Sequence, residues 1–220
     1  MRRSTGMVVS SFGLSRDYLG GLSGRNVLDP LVVCGPSGVG KGTIIQEFMN
    51  KHEDRFGFSV SHTTRNPRPG EVNGVHYHFV SLPEFEALSK EDYFLETAHV
   101  HGNSYGTSWE ALRSVQAEGK KVLLDIDVQG VQRLRSVSQS SQELHAKFIF
   151  IAPPSLATLQ ERLVARNTET PETLQRRLAN AAAEVEYGQC EGNFDTIIVN
   201  DDLEVAVCDF ETAVQRLYHR

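Results

Sequence analysis

Gly35-Pro36-Ser37-Gly38-Val39-Gly40-Lys41-Gly42 constrains the fold of this chain more than any other run in it. It follows the apolar stretch Leu31–Cys34 and precedes a segment where Ile44, Ile45, Phe48 and Met49 recur at helical spacing. A glycine-rich turn that ends in lysine between a strand and a helix is the setting of a phosphate-binding loop. Its backbone N–H groups turn inward on the phosphates, the helix N-terminus adds partial positive charge, and the lysine reaches the outer oxygens. A strand feeding a helix through such a loop belongs in an α/β domain. One departure stands out: Gly42 occupies the position after the lysine where a Ser or Thr hydroxyl usually ligates a metal, and Thr43 comes only next.

Three further short apolar runs, Val122–Ile126, Phe148–Ile151 and Thr196–Val199, join Leu31–Cys34 as expected buried parallel strands. Helical patterns alternate with them. Ser81 and Glu84 read as a capping box with Pro83 in the first turn. Thr107 or Ser108 caps a helix from Trp109 to about Glu118, ended by Gly119. Pro171 opens another, with Leu174, Leu178, Ala181 and Val185 on one side, and Leu203, Val207, Phe210, Val214 and Leu217 form the stripe of the last. This alternation predicts a parallel sheet. From Ser59 to Tyr105 the pattern turns β-like, with Val75, Tyr77 and Phe79 alternating with His76 and His78, so residues 59–105 are expected to form a small insertion. Ser136–Gln142 reads as a polar loop. There is no internal repeat and no long linker.

With 220 residues, 40% of them apolar, the chain can bury one sizeable core. No apolar run approaches the roughly 18–20 residues that span a bilayer, and a net charge of −6 argues against nonspecific binding to nucleic acid. The three cysteines, Cys34, Cys190 and Cys208, follow neither a disulfide framework nor a zinc spacing, which favours a reducing compartment. The cytoplasm is therefore expected. Residues 1–28 carry Arg2, Arg3, Arg16 and Arg25 against the single acid Asp17, and read either as a disordered extension or as an organelle-targeting segment. His76-x-His78 and His99-x-His101 each place two imidazoles on one strand face, though exposed strand histidines more often bind no metal.

Ser61-His62-Thr63-Thr64-Arg65-Asn66-Pro67-Arg68-Pro69-Gly70-Glu71 sets two arginines on a proline-stiffened loop. Their forks suit bidentate contact with a phosphate, and alone they read equally well as exposed solubility residues. They are followed by Val72-Asn73-Gly74 and Tyr77, by Glu96, by Gly102-Asn103-Ser104-Tyr105-Gly106-Thr107, and by Leu124-Asp125-Ile126-Asp127-Val128-Gln129-Gly130. Through these motifs residues 31–218 resemble the guanylate kinase family of nucleoside monophosphate kinases.

The resemblance implies a phosphate-loop α/β core over 29–58, 106–154 and 188–220, a GMP-binding insertion over 59–105 and a helical lid over 155–187. It implies ATP and GMP as substrates, ADP and GDP as products, and Mg²⁺ held mainly by ATP and water rather than by a protein ligand. The ATP site would comprise Gly35, Pro36, Ser37, Gly38, Val39, Gly40, Lys41, Gly42 and Thr43, with Asn200 and Asp201 near the base. Arg65, Arg68, Tyr77 and Tyr105 would hold the GMP phosphate, with Glu71 helping to set Arg68. Ser61, Glu96 and Thr107 would read the guanine, with Asp127 close by. Lys41, Arg65, Arg162, Arg166 and Arg177 would act on the migrating phosphoryl. The chemistry favours Glu96 independently: a carboxylate accepts from both N1–H and the 2-amino group of guanine, whereas adenine offers a lone pair at N1 and no such amino group. A monomer or a homodimer fits equally, with no nucleic-acid or membrane partner.

Overall fold

The structure is a computed structural model that describes residues 28–140, 144–165 and 171–218. β1 (Leu31–Cys34) leads through the glycine loop into α1 (Lys41–His52), and β2 (Phe56–Phe58) returns. The insertion contributes β3 (His62–Thr63), β4 (His78–Phe79), α2 (Leu82–Lys90), β5 (Phe94–Val100) and β6 (Asn103–Ser108). The chain then runs α3 (Trp109–Ala117), β7 (Lys121–Asp125), α4 (Val128–Ser140), β8 (Lys147–Ala152), α5 (Leu156–Ala165), α6 (Pro171–Gln189), β9 (Thr196–Val199) and α7 (Leu203–Tyr218).

β2, β7, β1, β8 and β9 form, in that order, a parallel sheet, with Val32 of β1 paired to Leu124 and Phe148. Successive side chains of a strand point to opposite faces, and both faces are apolar. Leu31, Val33, Leu123, Ile149 and Ile151 pack with Ile44 and Phe48 of α1, Leu159 of α5 and Phe210 of α7. Val32, Cys34, Leu124, Phe148 and Phe150 face the other way, onto Leu112 of α3 and Leu134 of α4. Helices cover both sides, so the strands read as continuous apolar runs. The glycine loop leaves β1 between β7 and β8, at the C-terminal end of the sheet, where open α/β sheets bind ligands.

The second sheet, in the order β4, β3, β6, β5, is mixed: β3 runs parallel to β4 and antiparallel to β6. Most of the alternation seen around Val75 is not strand. Val72–Tyr77 is a tight turn in which Gly74 N–H donates to Tyr77 O at 2.8 Å and Val72 N–H to His76 Nδ1 at 3.0 Å, and only His78 and Phe79 join the sheet. His76 and His78 therefore do not share a strand face.

One other expectation changes, one open alternative is decided, and one strand appears that the sequence pattern did not signal. The polar stretch from Ser136 continues α4 to Ser140, because Val137 packs against the core while Ser140 Oγ donates back to Ser136 O at 3.0 Å and Ser138 Oγ to Leu144 O at 2.7 Å. Residues 141 and 142 lie outside the described residues. β2 had no clear signal, being three residues with a central glycine. Gly57 lies so close to α3 that an added Cβ would stand 2.6 Å from Val115. Ser108, not Thr107, caps α3 by accepting from Ala111 N–H at 3.2 Å. The Ser81 cap forms as expected, accepting from Glu84 N–H at 3.4 Å. Among the described residues no helix is long and apolar enough to cross a membrane. The N-terminal extension expected over residues 1–28 lies, up to residue 27, outside the described residues.

Candidate active site

A cleft of about 220 Å³ opens between the C-terminal end of the parallel sheet and the second sheet. Gly35, Ser37 and Lys41 line its floor, Ser61, Arg65, Arg68, Tyr77, Glu96 and Tyr105 its far wall, and Asp127 and Arg177 lie in it too.

The glycine loop forms the floor because its geometry excludes larger residues. Gly40 is the N-cap of α1 in the left-handed region, φ 99°, and a Cβ there would collide with the Asn200 side chain. That amide, buried at the turn after β9, donates to Val39 O at 2.7 Å and fixes the loop from behind. Lys41 Nζ donates to Gly35 O at 2.5 Å and lies 3.9 Å from Asp125 Oδ1 at the end of β7. Burial pushes the Asp125 carboxyl up, and Lys41 opposes that rise.

On the far wall Glu71 grips the Arg65 guanidinium through both oxygens, at 2.9 and 3.0 Å, while Arg68 N–H donates to the same carboxylate at 2.6 Å. Glu71, expected to help set Arg68, holds it through that backbone N–H and also grips the Arg65 guanidinium by its fork. Burial works against the Glu71 charge, but the two arginines outweigh it and hold the carboxyl below its ordinary value. Arg65 also lies 5.4 Å from the Tyr77 ring centre, and Tyr77 meets Tyr105 edge-on at 6.0 Å. The rings of Tyr77 and Phe79, the latter 5.7 Å from the guanidinium, and the Glu71 carboxylate therefore define the direction of the Arg65 fork.

Glu96, on β5, is 3% exposed. Thr107 Oγ1 donates to Glu96 Oε1 at 2.5 Å and lies 3.4 Å from Ser61 Oγ. Thr107 is fully buried and acts on the cleft through Glu96 rather than by lining it. Glu96 Oε2 is buried without a hydrogen-bond partner. It rests over Gly130, where an added Cβ would stand 2.7 Å away. Burial pushes the Glu96 carboxyl up to about 7; Asp127 adds to the rise, while the Thr107 hydrogen bonds and Arg133 oppose it. A buried acceptor left unpaired is costly, and here it sits on the wall of an open cleft.

The lid residues divide. Arg177 of α6 reaches the glycine loop, donating to Ser37 Oγ at 3.3 Å. Arg162 of α5 does not line the cleft: it donates to Asn200 O at 2.8 Å and Asp201 O at 3.2 Å, so it holds the turn after β9. Asn200, which holds Val39 O, and Asp201 do not line the cleft, and neither do Pro36, Gly38, Val39, Gly40, Gly42 and Thr43 of the expected ATP site. Arg166 lies outside the described residues.

Two cleft carboxylates escaped the sequence reading. Asp125 had a signal, since it ends a strand beside β1 within the motif that also supplied Asp127. Glu184 had none: it shares a helix face with Arg177 seven residues before it, and only the packing of α6 against the cleft reveals it. The histidine pairs are dispersed, His78 stacking on His62 at 4.6 Å. Among the described residues no group of three or more His, Cys, Asp or Glu side chains is arranged to hold a metal ion.

Residues 28–217 match the family model described as guanylate kinase. The chain is 55% identical over 175 residues to guanylate kinase 1 of Oryza sativa subsp. japonica, across 80% of this chain and 44% of that protein. It is 47% identical over 184 residues to guanylate kinase of Schizosaccharomyces pombe, across 84% of this chain and 89% of that one. It thus spans less than half of the first relative and most of the second. Among solved structures, guanylate kinase from Anaplasma phagocytophilum superposes with a TM-score of 0.65 at 32% identity, covering 87% of each chain.

Proposed function

The chain belongs to the guanylate kinase family, and on that premise we propose that it transfers the γ-phosphoryl group of ATP to GMP, giving ADP and GDP, with dGMP accepted as well. The observation that carries this reading is one cleft with Lys41 and the glycine loop at one end and Arg65, Arg68, Tyr77, Tyr105 and the half-satisfied Glu96 at the other. A phosphate oxygen of GMP attacks the γ-phosphorus, the bond to the β–γ bridging oxygen breaks, and ADP leaves. The acceptor is already an anion, so no strong general base is required, and the protein contributes positioning and charge neutralisation.

Arg65 and Arg68 orient the acceptor phosphate, Glu96 takes the guanine edge, and Lys41 and Arg177 face the transferring group. Arg162 and Arg166 join them as the lid closes over the substrates. Mg²⁺ is carried mainly by the triphosphate and water, because Gly42 supplies no hydroxyl after Lys41. The Asp125 carboxylate, 3.9 Å from Lys41, offers oxygen donors suited to a metal-bound water. When bound, the ion neutralises charge on the β- and γ-phosphates. The protein works in the cytoplasm as a monomer or homodimer; imaging a fusion with and without residues 1–28 tests that compartment against organelle targeting.

A coupled ADP-release assay across GMP, dGMP, AMP and UMP tests the activity. Turnover with GMP and dGMP alone is expected, and preference for AMP or UMP, or no turnover at all, overturns the reading. Arg68→Ala is expected to raise the KM for GMP by roughly 10–100-fold, the worth of one charge-assisted hydrogen bond, with kcat little changed. An unchanged KM for GMP in steady-state kinetics would remove Arg68 from the acceptor site.

A further inference from the structure

We propose that Gln129 is a positioning residue that ties the acceptor sheet to the core and sets the Asp127 carboxylate against Glu96. The proposal rests on the acceptor reading above for its functional consequence, but its geometry stands alone. β5 is an edge strand of the second sheet, so part of its outer backbone lacks a strand partner. At His99 a side chain takes that place. Gln129 Nε2 donates to His99 O at 3.1 Å, and His99 N–H donates to Gln129 Oε1 at 3.4 Å, the pair of bonds that a neighbouring strand would make.

The same Nε2 also donates to Asp127 Oδ2 at 3.1 Å. The other oxygen, Asp127 Oδ1, accepts from Gly130 N–H at 2.9 Å and caps α4. Both oxygens of Asp127 are therefore held by the turn from Asp127 to Gly130, and that turn is held to β5 by Gln129. Gly130 completes the join, since its missing side chain lets Glu96 Oε2 lie directly over it. Gln129 is exposed, so apolar burial does not account for its fixed position. Its hydrogen bonds do, and they connect two carboxylate-bearing walls of the cleft that come from different sheets. Loss of the amide lets β5 and the α4 turn move independently. Misplacement by about 1 Å at a binding edge can cost up to roughly 100-fold in rate or affinity.

Gln129→Met keeps the length of the side chain and removes all three hydrogen bonds. The expected result is a KM for GMP raised about tenfold or more, with the KM for ATP and the thermal midpoint unchanged and kcat within about twofold. Gln129→Glu keeps one acceptor for His99 N–H but sets a like charge against Asp127, and it raises the KM for GMP further. In the ligand-free protein, the His99 amide should exchange with deuterium at least tenfold faster in Gln129→Met, while Gly106 of the β6 pairing keeps its wild-type rate. A KM for GMP within twofold of wild type, or parallel losses for ATP, GMP and thermal stability, overturns the positioning role. Unchanged exchange at His99 overturns the tie itself. Absence of wild-type turnover with GMP counts against the proposed activity instead, and the exchange measurement then decides the tie alone.

Discussion

Lys41→Ala should lower kcat by about 10²–10³-fold while the KM for GMP stays within about threefold. The split follows from where the lysine lies. Lys41 is on the floor of the cleft, at the start of α1, with its ammonium held by Gly35 O and facing Asp125. The acceptor groups Arg65, Arg68 and Glu96 form the opposite wall and touch it nowhere among the hydrogen bonds described here. A charge that meets the β- and γ-oxygens stabilises the transition state of transfer more than it binds the acceptor, so its loss falls on kcat. The variant also leaves Asp125 without its nearby cation, which lets the burial-raised carboxyl rise further. Steady-state kinetics at saturating GMP, with circular dichroism to establish folding, provide the check. A folded variant retaining more than a tenth of the wild-type kcat would falsify the assignment of Lys41 to the transferring group.

Glu96→Gln should act on the other substrate. The carboxylate has one oxygen satisfied by Thr107 and one buried and unpaired, which is the condition of a site that awaits two donors. Replacing it with an amide loses charge-assisted bonds worth roughly 1.5–3 kcal/mol each, so kcat/KM for GMP should fall by about 10²–10⁴-fold. Turnover with AMP, which cannot offer those donors, should change little, and the preference for guanine should collapse.

Proton linkage gives the same residue a second signature. The folded carboxyl titrates near 7, above its ordinary value near 4.5, chiefly because it is buried. Its favourable contribution to stability is therefore complete below about pH 4.5 and is lost as pH rises through about 7. Glu96→Gln should accordingly gain thermal stability over the wild type at pH 8 and little at pH 5. Binding runs the opposite way: the ionised form is the one that accepts from guanine, so wild-type kcat/KM for GMP should rise with pH through about 7. A wild-type midpoint that does not fall relative to the variant between pH 5 and 8 would remove the buried-carboxyl account.

Much of the architecture was legible because strand and helix periods are local. Leu31–Cys34, Phe148–Ile151 and Thr196–Val199 read as continuous apolar runs since the sheet is covered on both faces, and each lies in a strand. The Ser81 cap and the Gly119 stop are also local chemistry, and both appear where expected. The errors share a cause. Ser136–Ser140 looked like loop because its serines are polar, yet the Ser140 hydroxyl returns to the helix backbone, the Ser138 hydroxyl ties the helix to Leu144 O, and Val137 supplies the apolar contact. β2 was invisible because Phe56–Phe58 gains strand character only from pairing with β7.

The sequence by itself determined the glycine loop, its lysine, and the residue types that a phosphate and a guanine require, because these are contiguous motifs whose chemistry does not depend on distant neighbours. Tertiary structure alone decided which oxygen of Glu96 is spoken for, that Glu71 grips Arg65, that Arg162 braces the turn after β9, and that Gln129 meets the backbone of His99 thirty residues away. Each of those is a contact between segments far apart in the chain. The partner of a polar group is set by which surfaces the core brings together, and the pattern of one segment does not encode the distance to another.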